Sequence, residues 1–117
     1  MVSERIKLAL KKEYNMILYL DDWRTPPKIE GLKSATNYED FVFLLDTYGG
    51  CIEQVDLDYD LGYDSMRNGL DVLKYMKKYN VKCGHINIHS THPVGRERML
   101  LYAHENFPDA LVTTGEY

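Results

Sequence analysis

Runs of apolar residues along the chain alternate with segments in which apolar residues recur every three or four positions. Residues 15–20 are a nearly unbroken apolar run, which is the pattern of a strand buried on both faces of a parallel sheet. The later strands and helices are predicted from the same two patterns, apolar runs and apolar residues three or four positions apart, and Asn37 is suited to cap the helix that follows it. The predicted strands are 15–20, 33–36, 52–57, 85–89 and 110–113, and the predicted helices are 38–48, 70–79 and 96–106. This alternation predicts an α/β fold with a parallel sheet layered by helices.

The connection after the first strand departs from this alternation. It runs from Trp23 to Gly31 and contains Pro26 and Pro27. The residue before a proline is disfavoured in helical geometry, so this segment is predicted to be a loop. The first helix of the fold is therefore expected to be short or missing.

The length of 117 residues predicts one compact domain with a core of its own. We assign residues 15–117 to this domain and residues 1–14 to an N-terminal extension. The extension fits two interpretations, because Ile6, Leu8 and Leu10 alternate as in a strand while its alanine and lysines favour a helix.

Charge and cysteine content limit the partners and the compartment. A net charge of -4 argues against binding along an extended nucleic-acid backbone, although one RNA end could still be bound locally. Cys51 and Cys83 lack a metal-ligand or redox spacing and are interpreted as reduced structural thiols. The N-terminus lacks a signal-peptide pattern, and no apolar stretch approaches the length of a membrane span. A cytoplasmic protein without membrane contact is expected.

Four carboxylates follow two of the predicted strands. Asp21 and Asp22 come after the first strand, and Asp58 and Asp60 follow the strand at 52–57. The carboxyl ends of parallel strands meet at one edge of a sheet, where α/β proteins bind ligands. Neighbouring carboxylates repel, and a hard cation removes that repulsion while leaving coordination positions for phosphate. The pattern predicts a Mg²⁺ or Mn²⁺ site that handles phosphate, although Asp22 and Asp60 would also suit turns.

Further polar residues are expected to join these carboxylates. His89 could serve as a general acid or base beside Ser90 and His92, or it could be a core histidine satisfied by a backbone carbonyl. Arg24 could grip phosphate oxygens with its planar fork, or it could pair with one of the carboxylates. The helix after Gly95 offers backbone amides that favour an anion.

Several fragments together resemble a known family. They are Leu18-Tyr-Leu-Asp-Asp-Trp-Arg-Thr-Pro26, Leu57-Asp-Tyr-Asp-Leu-Gly62, Asn68-Gly69 and Ile88-His-Ser-Thr-His-Pro-Val-Gly95. Over about residues 15–113 the chain resembles the cyclic-phosphate-processing receiver-like domains, which are relatives of response-regulator receivers. The resemblance implies a flavodoxin-like, receiver-like three-layer fold with a five-stranded parallel sheet of order 2-1-3-4-5.

The resemblance also implies roles for single residues. Asp21 and Asp22 match the acidic pair that holds Mg²⁺, Asp58 matches the aspartate that receivers phosphorylate, and Ser90 matches the hydroxyl that contacts the phosphoryl group. The chain departs from the family in having His92 where an asparagine is usual. It departs from phosphoaccepting receivers in having no lysine after the fifth strand, in residues 111–117.

The sequence thus predicts a divalent-metal-dependent phosphoesterase-like domain that acts on a cyclic phosphate or on a phosphorylated nucleotide or RNA end. The alternative is a non-catalytic receiver-like module that senses a phosphorylated ligand or a protein partner, with a phosphoaccepting response regulator as a third hypothesis. The candidate residues are, for catalysis, Asp58, His89, Ser90 and His92; for substrate, Arg24, Ser90 and Gly95; for metal, Asp21, Asp22, Asp58 and Asp60.

Overall fold

The structure is a computed structural model that describes residues 16–116. The predicted N-terminal extension, residues 1–14, lies outside the described residues. The elements are β1 Met16–Leu20, β2 Leu32–Ala35, α1 Tyr38–Tyr48, β3 Ile52–Leu57, α2 Gly69–Lys78, β4 His85–Ile88, α3 Pro93–Asn106 and β5 Leu111–Thr114. No helix in this part of the chain is long and apolar enough to cross a membrane.

The five strands form one parallel sheet in the order β2-β1-β3-β4-β5. This order confirms the flavodoxin-like, receiver-like α/β fold. Leu20 of β1 pairs with Leu57 of β3, and Leu57 pairs with Ile88 of β4. Because these pairs lie at the ends of their strands, the residues that follow them meet at the same edge of the sheet.

Residues 21–31 connect β1 to β2 without a helix. This finding agrees with the prediction that the first helix is short or missing. The three helices α1, α2 and α3 each belong to a crossover that moves in the same direction across the sheet. Right-handed crossovers in one direction place their helices on one face. Residues 16–116 therefore cover one face of the sheet with helices and leave the other face without one.

The covered face is apolar. Alternate strand residues are fully buried there against side chains from all three helices, and the principal strand contributors are Leu18, Leu20, Val55, Leu57, Ile86 and Ile88. The helices contribute Phe41, Leu45, Leu73, Met76 and Met99. Each fully buried side chain of this size adds about 1.5–3 kcal/mol relative to its exposed state, so this face holds the hydrophobic core.

Side chains cap the N-termini of all three helices. The Asn37 side chain accepts a hydrogen bond from the Asp40 amide at 2.8 Å, and Asn68 and Asp71 form a reciprocal capping box on α2. The helix α3 begins at Pro93, three residues before the predicted start at 96. Proline suits the first position of a helix, so the predicted loop at 90–95 is too long at its downstream end.

Candidate functional site

Three predicted site residues come together at the carboxyl edge of the sheet. Asp21, Asp58 and His89 directly follow β1, β3 and β4, and all three are buried. One ligand-type atom from each residue lies within 4.8 Å of the other two. The structure thus brings together two acidic strand ends and a histidine, as the strand order requires.

Asp21 is the most heavily hydrogen-bonded member of this cluster. Its Oδ1 accepts from the backbone amides of Trp23 at 3.0 Å and Arg24 at 2.9 Å, and its Oδ2 lies 3.1 Å from Arg24 Nη1. Burial by itself raises the pKa of Asp21, but the Arg24 and Trp23 amides and the guanidinium outweigh it, so the pKa is lowered overall. Asp21 is therefore ionised at neutral pH.

Asp58 has the opposite electrostatic character. Burial, followed by the negative charge of Asp21, raises the pKa of Asp58 to about 6. A carboxylate at this position is costly to ionise when no cation is near. Asp58 is consequently the residue of the cluster whose charge a bound cation would stabilise most.

His89 lies between two buried carboxylates. Its Nδ1 contacts Asp56 Oδ1, and its Nε2 lies 3.0 Å from Asp21 Oδ2. The ring stacks on Tyr19 with centroids 4.7 Å apart and planes 2° from parallel. Burial lowers the pKa of His89, but the Asp56 hydrogen bond and the charges of Asp56, Asp58 and Asp21 outweigh it, so the pKa is raised. This arrangement favours an imidazolium that donates from both nitrogens.

Asp56 is a site residue that sequence reasoning missed. It lies inside the predicted strand at 52–57, is fully buried and contacts His89 Nδ1 through its Oδ1. A signal was available, because strand side chains alternate between faces and Asp56 must share a face with Asp58. An aspartate two positions before a candidate ligand on the same strand was a reason to include it.

Asp56 also begins a polar network that crosses the sheet. Asn87 Nδ2 donates to Asp56 Oδ1 at 3.0 Å and to the Gly115 carbonyl at 2.8 Å, and Thr113 Oγ1 donates to Asn87 Oδ1 at 2.7 Å. The register explains this contact, since Asp56 pairs with Asn87 and Asn87 pairs with Thr113. Within the described part of the chain, the buried Asp56 Oδ2 has no hydrogen-bond partner.

Asp22 and Asp60 lie beside this cluster and are not among its three grouped donors. Asp60 is exposed, and its Oδ1 accepts from the Gly62 amide at 3.1 Å, which is the turn role allowed by the sequence. Burial, then the charges of Asp21 and Asp60, raise the pKa of Asp22. Gly62 has φ +109°, and a Cβ there would lie 3.3 Å from Asp22 Oδ2, so glycine lets this turn approach the carboxylate.

The residues after β4 have clear local contacts. Ser90 is buried and its Oγ accepts from the His92 amide at 3.1 Å. His92 is exposed and its Nδ1 accepts from the Gly95 amide at 2.9 Å, which caps α3. A Cβ at Gly95 would lie 2.3 Å from the Tyr59 ring, so this position requires glycine for packing. His92 and Gly95 thus have structural roles next to the site.

Arg24 is positioned at the site and already has two acidic partners. Besides Asp21, its Nη2 lies 3.1 Å from Glu116 Oε1. The guanidinium also stacks over the Trp23 ring at 4.8 Å. Of the two interpretations from the sequence, the contacts show the pairing of Arg24 with carboxylates, and phosphate binding by Arg24 stays a prediction.

The donor set fits a divalent cation. Asp21 and Asp58 offer the carboxylate oxygens that Mg²⁺ and Mn²⁺ prefer. Burial and then the charge of Asp21 raise the pKa of Asp58, and a cation would offset both by stabilising its ionised form. An imidazole ligand suits Mn²⁺ better than Mg²⁺, but His89 Nε2 would first have to leave Asp21. The two carboxylates are thus the core of the candidate metal site.

Comparison with protein families gives one match. The model described as the cyclic-phosphate processing receiver domain matches residues 16–105, which span β1 to α3 and include Asp21, Asp58 and His89. No curated protein and no solved structure matches the chain significantly. Because the matched segment covers most of the chain and the sheet has the receiver order, this chain belongs to the family of cyclic-phosphate processing receiver domains.

Proposed function

We propose that the Asp21–Asp58–His89 cluster binds Mg²⁺ or Mn²⁺ and hydrolyses a cyclic phosphate, such as that of a nucleotide or an RNA end. One observation carries the proposal: two buried carboxylates lie together at the ligand-binding edge of the sheet, where burial and then the neighbouring charge of Asp21 disfavour ionisation of Asp58. In a receiver-like domain linked to cyclic-phosphate processing, a cation and a phosphate are the natural occupants.

Hydrolysis of a cyclic phosphodiester adds one water across a P–O bond and yields a phosphomonoester and a free hydroxyl. The cation, when bound, would screen the negative charges that approach each other. The Asp58 carboxylate bonds to the phosphorus atom, the ring P–O bond breaks, and the leaving oxygen takes a proton from a water molecule. The hydroxide that remains breaks the bond between phosphorus and Asp58, which releases the phosphomonoester and regenerates the carboxylate. In this proposal Arg24 and the Ser90 hydroxyl hold phosphoryl oxygens.

The contacts of His89 favour a second candidate function, a sensor without turnover. Both ring nitrogens already contact buried carboxylates, so proton transfer by His89 requires the contact with Asp21 to open. A pocket that binds metal and phosphate without such opening would report a phosphorylated ligand through the neighbouring loops. The two candidates bind the same chemical group and differ in turnover.

Phosphorus NMR separates the two candidates. The protein with diamagnetic Mg²⁺ is incubated with 2′,3′-cyclic, 3′,5′-cyclic and cyclic oligonucleotides, and Asp58→Asn and Asp109→Asn are run beside it. Asp109 is exposed and lies next to β5 at the opposite edge of the sheet, so it is a matched loss of one carboxylate. Conversion that survives Asp109→Asn and is lost in Asp58→Asn supports the hydrolase. Line broadening without conversion supports the sensor, and neither effect with any compound contradicts both.

A further inference from the structure

A groove between α1 and α2 has a different chemistry from the acidic site. Its volume is about 340 Å³. We call it the α1–α2 groove, and it is lined chiefly by the three tyrosines Tyr38, Tyr75 and Tyr79 and the three cations Arg67, Lys74 and Lys78. Aromatic rings interleaved with cations are the usual surface for single-stranded nucleic acid.

The charge of the groove is opposite to that of the chain. The chain has a net charge of -4, yet three cations line this groove with one acidic residue, Asp71. Asp71 is occupied by the capping box, where its Oδ2 accepts from the Asn68 amide at 2.9 Å. The nearby Asp46 accepts from the Tyr75 hydroxyl at 2.7 Å. The lysines are therefore the groups of the groove best placed to meet an anion.

The tyrosines are arranged as a platform. The rings of Tyr75 and Tyr79 lie 4.5 Å apart and are tilted by 43°. Lys78 Nζ lies 5.3 Å from the Tyr79 ring centre, and the Arg67 guanidinium lies 5.1 Å from that of Tyr38. Tyr79 is 55% exposed, so one ring is available for a base to stack on.

The groove begins next to the acidic site. Arg67 stands two residues before Gly69, whose amide donates to the Tyr59 carbonyl at 2.9 Å. A Cβ at Gly69 would lie 2.1 Å from the Asp58 backbone carbonyl oxygen, so the start of α2 packs on the backbone of this site residue. From there the ten residues of α2 extend about 15 Å, enough for about four phosphates at the spacing of one duplex strand.

We propose that the α1–α2 groove binds single-stranded RNA and directs its terminal phosphate to the Asp21–Asp58 site. The inference rests on the proposed function and specifies its substrate class. A 2′,3′-cyclic phosphate requires a 2′ oxygen, so a polynucleotide that carries one at its end is RNA. The lysines would meet the backbone phosphates, and Tyr38 and Tyr79 would stack on bases.

The test measures binding of 3′-phosphorylated single-stranded RNA of one to eight nucleotides by fluorescence anisotropy with Mn²⁺. The double variant Lys74→Glu/Lys78→Glu is compared with Lys77→Glu/Lys82→Glu, which changes the charge equally. Lys77 and Lys82 line a different groove, at the amino ends of β4 and β5. Circular dichroism establishes that each variant folds, and Tyr79→Leu tests the stacking platform without changing charge.

The wild type is expected to bind the eight-nucleotide RNA at least tenfold more tightly than the mononucleotide, with an affinity that falls as salt rises. Lys74→Glu/Lys78→Glu should bind long and short RNA with similar affinity, and Tyr79→Leu should bind the eight-nucleotide RNA about fivefold more weakly than the wild type. The control Lys77→Glu/Lys82→Glu should bind it within about twofold of the wild-type affinity. Equal affinity of the wild type for short and long RNA, or an equal loss of affinity in both double variants, would overturn the proposal that the groove binds RNA. Binding of an acidic peptide in preference to RNA would also overturn it.

Turnover of a mononucleotide cyclic phosphate is measured on the same variants. This reaction needs the acidic site and not the groove, so it reports the proposed function independently. Turnover without any length dependence leaves the hydrolase in place and rejects the groove. Length-dependent binding without turnover retains the groove on a sensor.

Discussion

The two faces of the sheet are built from the same strands but differ in the interactions that their side chains make. On the face under the helices, Leu18, Val55 and Ile86 are completely buried among apolar neighbours. On the other face, the adjacent positions Tyr19, Asp56 and Asn87 are also buried, but they are joined by stacking and hydrogen bonds. At these positions burial is similar on the two faces, while the interactions that stabilise the buried groups differ.

This difference shows how a small domain can hold a charged site next to its core. The apolar face supplies stability through burial, which needs no particular partner. The polar face gains little net stability from each hydrogen bond but loses much if one partner is removed, because a buried donor or acceptor is then unsatisfied. The stability of the polar face should therefore depend most on which hydrogen-bonding groups its side chains carry. The stability of the apolar face should depend most on the volume of its side chains.

The largest effect is expected on the apolar face. Replacing the fully buried Phe41 by alanine removes core volume and should lower the free energy of unfolding by about 4 kcal/mol. Phe43, on the same helix, is 69% exposed, and its alanine variant should change stability by less than about 0.5 kcal/mol. Urea denaturation measures both. Equal losses would mean that the helices do not pack on the sheet as described.

The polar face should respond nearly as strongly to one lost carboxylate. Asp56→Ala removes the partner of His89 Nδ1 and one of the two acceptors of Asn87 Nδ2, and it should lower the free energy of unfolding by about 3 kcal/mol. Asp56→Asn keeps one acceptor oxygen and should cost less, but the pKa of His89 should fall because its strongest anionic partner is gone. Urea denaturation and proton NMR titration of the ring measure the two effects. An unchanged His89 pKa would contradict the pairing.

Replacing Asp58 should raise the free energy of unfolding, whereas replacing Asp56 should lower it. The folded pKa of Asp58, about 6, lies above its ordinary value of 3.8, so protonation stabilises the fold, and that stability is lost as pH rises from about 4 through 6. Without metal, Asp58→Asn should therefore be more stable than the wild type by about 2 kcal/mol at pH 7.5, with no difference near pH 3.

Mn²⁺ should reverse this ranking. The cation should raise the melting temperature of the wild type and leave Asp58→Asn nearly unchanged, because the variant lacks one of the two anionic ligands. Thermal unfolding with and without EDTA measures the shift at fixed pH. An equal response of the two proteins to Mn²⁺ would place the cation elsewhere.

The smallest effect is expected at the far end of the polar network. Thr113→Val keeps the volume but removes the hydroxyl that donates to Asn87 and contacts His85 Nε2 at 2.6 Å. The free energy of unfolding should fall by about 1 kcal/mol in Thr113→Val, and by less in Thr113→Ser, which keeps the hydroxyl. A stability equal to the wild type in Thr113→Val would show that the network contributes only near His89.

The family resemblance gave the strand order before the structure, and local patterning gave most of the elements. Asn37 and Asp40 form the predicted cap, and the prolines at 26 and 27 exclude the helix that usually follows the first strand. The error at α3 has a local cause, because the turn-like sequence before Gly95 also contains a proline suited to begin a helix. Caps and prolines act through neighbouring atoms, which is why sequence reasoning handles them well.

The site was only partly predictable. Asp21, Asp58 and His89 were identified because strand ends in an α/β fold meet at one edge. Asp56 was missed, since its partner His89 is distant in sequence and becomes adjacent only when β3 pairs with β4. The run at 15–20 gave no sign that Tyr19 lies on a polar face, where its ring is buried by stacking on His89.

The sequence by itself determined most of the strands and helices, two of the helix caps, and which acidic side chains end at the carboxyl edge of the sheet. These properties depend on local sterics and on the alternation of apolar and polar positions. The tertiary structure decided that the pKa of Asp21 is lowered, that the pKa of Asp58 is raised and that His89 is held by two carboxylates. Those properties depend on distance and burial between groups far apart in the chain, and only pairing of the strands sets them.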